Sequence, residues 1–132
     1  MDYLLDTNIV SNALREPNGK VALRFLRTGI DRISTSIVVV AELRFGFVRS
    51  GATGLPERLA ALLTFIKVHP LQHPADERYG DIRAYLERAG RLIGPNDLLI
   101  AAHALALGCT LVTDNEDEFR RVPGLRVENW LR

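Results

Sequence analysis

The chain has 132 residues, of which 47% are hydrophobic and 25% are charged, and its formal net charge is +1. This length and balance predict one globular domain over residues 1–132, with a buried core. Its apolar runs are far too short to cross a bilayer, no signal peptide is evident, and the one cysteine, Cys109, can form no internal disulfide. We therefore expect a cytoplasmic protein with no membrane contact, in which Cys109 acts as a small buried hydrophobe.

The basic residues are the part of the composition that bears on nucleic acids. Arginine accounts for 15 of the 17, and arginine makes forked contacts with phosphate, although a GC-rich genome gives the same bias. If four of the 16 acids converge in one pocket, the other 12 acids face 17 basic residues and leave +5 on the remaining surface. That charge would suit a phosphate backbone.

Hydrophobic patterning predicts strands that alternate with helices along the chain. Predicted strands cover residues 2–6, 31–36, 68–72, 109–113 and 126–130, and predicted helices cover 8–15, 21–27, 37–49, 56–67, 74–91, 94–108 and 115–122. The second helix presents Val21, Ala22, Phe25 and Leu26 on one side. Such alternation predicts an α/β fold with a parallel sheet covered on both faces.

The stretch IVVVAELRFGFVRSG, which begins at Ile37, is ambiguous between the two structures. Its β-branched residues favour a strand, whereas Ser36 is a suitable helix N-cap and the length suits a helix. We interpret it as a helix over 37–49. GPNDLLIAAHALALG is the clearest helix, apolar nearly all round, with Gly108 as its C-terminal stop.

Acidic residues follow two of the predicted strands at the point where each strand ends. Asp6 closes the first strand, and Asp114 follows the strand CTLVT, with Asn115, Asp117 and Glu118 in the next turn. Sites in open parallel sheets form beyond the carboxyl ends of the strands. We therefore expect these acids to meet at one edge of the sheet.

Two further acids stand in apolar surroundings. Glu42 lies within VVVAELRFGF and Asp97 in the first turn of the buried helix. A buried carboxylate is costly unless it is paired or binds a metal. Two of the acids also have a structural explanation. Asp6 can cap a helix, and Asp97 complements the helix dipole.

Clustered carboxylates repel one another and so raise one another's pKa values, and a hard divalent cation removes that repulsion. Mg²⁺ takes oxygen ligands, keeps several waters and binds only one or two protein carboxylates directly. Such a site is suited to phosphodiester hydrolysis, because the metal lowers the pKa of a bound water and neutralises phosphoryl charge.

Four motifs in order, LLDTNIV, AELRFG, IGPNDLLIAAHAL and LVTDNEDEFRRVPGLRVENW, resemble the PIN-domain ribonucleases, in particular the VapC-type toxins of bacterial toxin–antitoxin pairs. The resemblance covers essentially the whole chain. It implies a three-layer α/β/α PIN-like fold with a central parallel sheet. It also implies an endoribonuclease that uses Mg²⁺, or Mn²⁺, to cleave RNA with water, leaving a 5′-phosphate and a 3′-hydroxyl. The ending VPGLRVENW is similar to the subgroup that cuts transfer RNA, notably the initiator.

The resemblance also implies roles for individual residues. Asp6 and Asp97 match the family's metal ligands, and Glu42 and Glu118 match its third and fourth acids; Asp114 and Asp117 compete for the fourth position. Supporting positions are Thr7, Asn8, Thr113, Asp114, Asn115 and Asp117. Implied partners are a cognate VapB-type antitoxin that blocks the acidic pocket and a second copy of the chain, giving a homodimer and a heterotetramer or larger assembly with the antitoxin.

Three alternative functions remain open at the level of the sequence. A PIN-type RNA-processing nuclease without an antitoxin would lack a small upstream antitoxin frame. A receiver-like phosphoacceptor also uses strand-end acids with Mg²⁺, but neither Lys20 nor Lys67 is placed at a late strand end. A non-catalytic binding domain would give no metal-dependent cleavage.

Aromatic and histidine side chains have structural rather than catalytic interpretations. His69 and His73 are spaced like zinc ligands on a helix, but the prolines of HPLQHP break a helix there. His103 lies six residues after Asp97, off its face, and is expected in the core or an interface. Trp130 and Phe119 are able to stack on bases, yet core packing or a dimer contact is the simpler prediction for both.

Overall fold

A sheet of five short parallel strands lies at the centre of the protein. In the computed structural model, which describes residues 2–132, these are Tyr3–Leu5, Ile33–Ser36, Lys67–His69, Thr110–Val112 and Val127–Glu128 (β1–β5). Their order across the sheet is β3-β2-β1-β4-β5, and all neighbours are parallel. The two outer strands, β3 and β5, have three and two residues.

Seven α-helices connect the strands within residues 2–132. They are Thr7–Arg15, Lys20–Thr28, Ile37–Ser50, Leu55–Leu62, Ala75–Arg88, Pro95–Leu107 and Glu116–Phe119 (α1–α7), with a 3₁₀ turn at Ile30–Arg32 before β2. None of these helices combines the length and the apolar character that a bilayer crossing demands.

The chain winds in two directions from β1, which lies in the middle of the sheet. From β1 it steps to β2 and β3 on one side, and then crosses to β4 and β5 on the other. Because parallel crossovers are right-handed, the helices of the two halves cover opposite faces. In agreement, α1 contacts α2, α3 and α4, while α5 packs along α6. The predicted α/β architecture with helices on both faces is therefore confirmed.

The ambiguous stretch after β2 is a helix, as predicted. Ser36 is its N-cap, and its Oγ accepts the N–H of Val38 at 3.0 Å. The helix ends at Ser50, and its C-cap, Gly51, has a φ of +67°, which lies in the left-handed region that a glycine adopts without strain. Here N- and C-terminal caps outweigh the β-propensity of the valines.

Several predicted boundaries were wrong. The helix predicted over 56–67 ends at Leu62, where the carbonyl of Ala61 accepts the hydroxyl of Thr64 at 2.7 Å and the N–H of Thr64 at 3.2 Å. The strand predicted over 68–72 covers Lys67–His69, because Pro70 has no N–H to continue the ladder. The strand predicted over 31–36 begins in the 3₁₀ turn, and the last strand is shorter than 126–130.

The predicted apolar face of α2 is only partly correct. Val21 and Phe25 are buried, whereas Leu26 is 81% exposed. Leu26 directly follows Phe25, and a helix turns about 100° per residue, so its side chain leaves the buried face. This exposed residue lines a cleft that is described below.

Aromatic side chains at the end of the chain pack in the core, as predicted. Phe119 is fully buried and Trp130 is 3% exposed, with its ring edge-on to Tyr3 and Phe25 at centroid distances of 5.1 and 6.2 Å. Cys109 is also buried, and burial raises the pKa of its thiol.

The predicted core histidine lies deep in the protein. His103 is buried on α6, where its Nδ1 is 2.8 Å from the Ser36 hydroxyl. His73, by contrast, is exposed and pairs with Asp76 and Glu77.

Candidate active site

Two neighbouring strand ends place the first side chains of the candidate site. In the β1–β4 pair, Leu5 lies opposite Val112, so the following residues, Asp6 and Thr113, leave the sheet side by side. Chain connections diverge at β1, and a crevice at the carboxyl ends of such strands is the usual ligand site of an open α/β sheet. Asp6 therefore lies at the edge of the sheet where the acids were predicted to meet.

Asp6 is a buried carboxylate held by two hydrogen bonds. It is the N-cap of α1, and its Oδ1 accepts the N–H of Thr7 at 2.8 Å. Its Oδ2 accepts the hydroxyl of Thr113 at 2.7 Å. Burial raises its pKa above the usual range; both hydrogen bonds oppose this, while the charges of Glu42 and Glu118 add to it. Asp6 is thus both a cap and a member of a charged cluster.

Glu42 reaches the same crevice from α3. Its Oε1 accepts the hydroxyl of Thr7 at 2.7 Å, and its Oε2 accepts the side-chain amide of Asn96 at 3.3 Å. Thr7 therefore joins Asp6, through its backbone N–H, to Glu42, through its hydroxyl. This pairing explains how a carboxylate is tolerated within an apolar helix.

Glu118 and Asp97 form the other half of the cluster. Oε1 of Glu118 accepts the N–H of Gly94 at 2.8 Å, and its Oε2 is bonded to the side-chain amide of Asn115. Although burial acts to raise it, the pKa of Glu118 is lowered by these bonds and by one with Asp97. Burial first, and then the charges of Glu118 and Asp6, raise the pKa of Asp97 from 3.8 to about 7. The hydrogen bond between Asp97 and Glu118 raises the pKa of Asp97 and lowers that of Glu118.

Asp114, Asp117 and Glu118, the three candidates for the fourth acid, make different contacts. Only Glu118 interacts with Asp97 and Asp6. Asp114 accepts a hydrogen bond from Asn129 at 3.0 Å, and its own N–H binds Oδ1 of Asn8. Asp117 is exposed. The geometry therefore favours Glu118 as the fourth acid, and Asn8 supports the loop by accepting the N–H of Asp114.

Two contributors to the site were missed by sequence reasoning. Asn96 binds Glu42, and it stands inside the motif PND directly before Asp97, so the motif carried a signal for it. Gly94 contributes a backbone N–H, for which the sequence carries none. A Cβ added at Gly94 would lie 3.6 Å from Oδ2 of Asp97 and 3.8 Å from Oε1 of Glu118. The backbone therefore approaches both carboxylates closely.

The donor set suits a hard cation. The side chains of the site are four carboxylates and two amides. The pKa values of Asp6 and Asp97 are raised by burial and by the negative charge of neighbouring carboxylates. Among residues 2–132, no three His, Cys, Asp or Glu side chains are arranged to hold a metal ion as they stand. Mg²⁺ does not need three, because it binds one or two carboxylates and keeps its waters.

Comparison with known proteins gives a consistent result. The PIN domain matches residues 3–125 of the chain. Ribonuclease VapC2 of Rickettsia felis is 38% identical over 132 residues, covering 98% of both chains. The tRNA(fMet)-specific endonuclease VapC of Shigella flexneri is 38% identical over 135 residues, again with 98% of both covered. The crystal structure of VapBC2 from Rickettsia felis bound to a promoter DNA fragment superposes with a TM-score of 0.86 and 36% identity, over 98% of this chain and 99% of that one.

Proposed function

The chain belongs to the PIN-domain family and to its VapC-type ribonucleases, and from this premise we propose that it is a Mg²⁺-dependent endoribonuclease toxin. The observation that carries the proposal is the meeting of Asp6, Glu42, Asp97 and Glu118 in one crevice. Four mutually repelling acids are costly for a fold, and a divalent cation gives them a use.

Asp6 and Asp97 are the residues that we assign to the metal, and Mn²⁺ would satisfy the same oxygen donors. When bound, the cation supplies a water of lowered pKa and neutralises charge on the phosphoryl oxygens. Their raised pKa values support this assignment, because a divalent cation held by Asp6 and Asp97 would stabilise the charged form of both carboxylates.

Glu42 and Glu118 are assigned to the orientation of water. Each is fixed by donors on both oxygens, Glu42 by Thr7 and Asn96 and Glu118 by Gly94 and Asn115. A carboxylate fixed in this way presents its remaining lone pairs in set directions. In the proposed reaction, water adds to phosphorus in line, the bond to O3′ breaks, and the products are a 5′-phosphate and a 3′-hydroxyl.

Transfer RNA is the substrate class that we propose, with the initiator tRNA as the first candidate. The 38% identity with a tRNA(fMet)-specific endonuclease supports this choice, as does the ending VPGLRVENW. Action on tRNA would place the enzyme in the cytoplasm. Sequencing the 5′ ends that appear in cells after brief expression tests it, because a tRNA-specific enzyme gives one dominant end.

A VapB-type antitoxin is the proposed protein partner. The similar solved structure is a VapBC2 complex, and an antitoxin side chain that enters the acidic crevice would exclude RNA from it. We propose a homodimer and, with the antitoxin, a heterotetramer or larger assembly. Light scattering of the co-expressed pair measures this stoichiometry.

The central test is cleavage by purified protein. The unmodified chain is expected to cleave tRNA with MgCl₂ and to stop when EDTA is added, while Asp97→Asn is expected to lose at least about a thousandfold in rate. Asp81→Asn, on the exposed surface of α5, is the matched control. Full activity of Asp97→Asn would refute the proposal.

A further inference from the structure

A basic cleft lies between α2 and the end of the chain. It has a volume of about 610 Å³, and its lining includes Lys20, Arg24, Arg27 and Arg132 around the indole of Trp130. No acidic residue is among the residues that line it. A surface that gathers four cations in one concave place has the charge of an anion-binding site.

Three of these cations form a stripe on one helix. Lys20, Arg24 and Arg27 are spaced i, i+4 and i+7 along α2, so they project from the same face. The stripe advances along the helix axis by about 6 and then about 4.5 Å. Such a row of cations matches a linear polyanion better than it matches a single phosphate.

Two of the arginines are already held in place. The guanidinium of Arg24 stacks over Trp130, at 5.0 Å from the ring centroid, and lies 3.5 Å from Oε1 of Glu128. Nε of Arg132 lies 3.0 Å from Oε2 of Glu116. Trp130 is almost fully buried, so its ring positions Arg24 and is not free to stack on a base.

The other two cations lack an acidic partner. In the part of the chain that the structure describes, neither Lys20 nor Arg27 makes a salt bridge, and both are exposed. Their charges are therefore available to a ligand. Substituting these two residues changes the charge of the cleft without breaking a salt bridge within the protein.

Helix α7 contacts both the cleft and the candidate active site. Glu116 on this helix binds Arg132 of the cleft, and Glu118 on the same helix belongs to the acidic cluster. An acidic crevice repels a polyanion, so a nuclease needs nearby cations that hold the strand against it. The cleft supplies them within one short helix of the acids.

We propose that this basic cleft binds the RNA backbone, an inference that rests on the proposed RNA-cleaving function. Lys20 and Arg27 contact phosphates directly, whereas Arg24 and Arg132, each paired with a glutamate, contribute less positive charge. Leu23 and Leu26, which are 53% and 81% exposed on the same helix, would instead favour an acidic protein segment. The experiment separates these two occupants.

The test measures binding without cleavage. The parent is the full chain carrying Asp97→Asn, with MgCl₂, and the probe is a fluorescein-labelled single-stranded RNA of about 20 nucleotides, longer than a typical single-strand site. Adding Lys20→Gln and Arg27→Gln, which keep most of each side-chain stem, is expected to weaken binding about tenfold at about 50 mM salt. The slope of log affinity against log salt should become shallower by about 1.4, the value for two lost contacts.

Arg78→Gln with Arg88→Gln is the matched control, because it removes the same charge from the exposed surface of α5. It should leave affinity and slope at the parent's values. Equal binding by the Lys20/Arg27 variant and the parent would overturn the proposal, as would normal RNA binding combined with lost co-purification of the antitoxin, which would make the cleft a protein-docking surface. Because the assay needs no turnover, failure to cleave RNA would count against the proposed function alone.

Discussion

Thr113 donates its hydroxyl to Oδ2 of Asp6 at 2.7 Å, although the two residues are 107 positions apart in the chain. The same hydroxyl oxygen accepts the N–H of Asn115 at 3.0 Å. Asn115 in turn binds Glu118. One buried threonine therefore links the acid at the end of β1 to the acid on α7 and sets their relative position.

Replacing Thr113 by valine keeps the shape of the side chain and removes these two bonds. We expect the free energy of unfolding to fall by about 1–3 kcal/mol, because Asp6 and the N–H of Asn115 each lose a buried partner. Cleavage should slow by about 10- to 100-fold, the usual effect of losing a group that orients a metal ligand. Urea denaturation and initial cleavage rates measure the two effects. Thr113→Ser, which keeps the hydroxyl, should retain most of both; equal losses in the serine and valine variants would contradict this account.

The choice of fourth acid is tested by three neighbouring substitutions. Glu118→Gln should reduce cleavage by at least about a hundredfold, because it replaces the carboxylate that interacts with Asp97. Asp117→Asn should remain within about twofold of the parent, since Asp117 is exposed. Asp114→Asn should have an intermediate effect through its bond with Asn129. A severe loss in Asp117→Asn with an active Glu118→Gln would reverse the assignment.

Asp97 should make the metal-free protein less stable as pH rises. Its folded pKa of about 7 exceeds the ordinary 3.8, so the stability it contributes is full below 3.8 and is lost as pH rises through about 7. In EDTA at pH 8, Asp97→Asn should therefore melt about 3 °C above the parent, an increment reduced by partial solvent exposure. MgCl₂ should raise the melting temperature of the parent and not of the variant. An identical Mg²⁺ response in both would argue against Asp97 as a ligand.

His103 should oppose that trend at lower pH. Its pKa lies below the ordinary 6.5 because of burial and then the neighbouring His69, so its contribution to stability is full above 6.5 and is lost as pH falls through the folded pKa. His103→Gln should lower the free energy of unfolding by about 1–3 kcal/mol at pH 8. The difference between parent and variant should shrink toward pH 5. A constant difference across urea titrations from pH 8 to pH 5 would exclude this role.

The sequence was most informative where one rule of topology applied to several residues at once. The ends of parallel strands share an edge, and that rule predicted that Asp6 lies near the acids after the strand CTLVT, of which Glu118 interacts with Asp6. Glu42 was marked by the contrast between its charge and its apolar neighbours. These signals depend only on residue type and residue order, and both are given by the amino-acid sequence.

Other features depended on geometry that residue order does not contain. Asp114, Asp117 and Glu118 lie within five positions, and α7 is a single turn, so no periodic pattern could fix which acid faces the site. The N–H of Gly94 acts through its backbone placement alone. On α2, the pattern identified Val21 and Phe25 as buried but could not show that Leu26 is exposed and lines the basic cleft, because the partner surfaces of a helix are set by the tertiary fold.

The two outer strands bear on how copies of this chain can associate. An exposed sheet edge normally invites another strand to dock, but β5 has two residues and β3 has three, with exposed Lys67 in β3 and Pro70 immediately after it. Both edges are therefore poor templates for intermolecular β-pairing. Copies of the chain are therefore expected to associate through helices or loops, and the crevice at the strand ends stays out of any intermolecular sheet. Aggregation by strand exchange is disfavoured at both edges of the sheet.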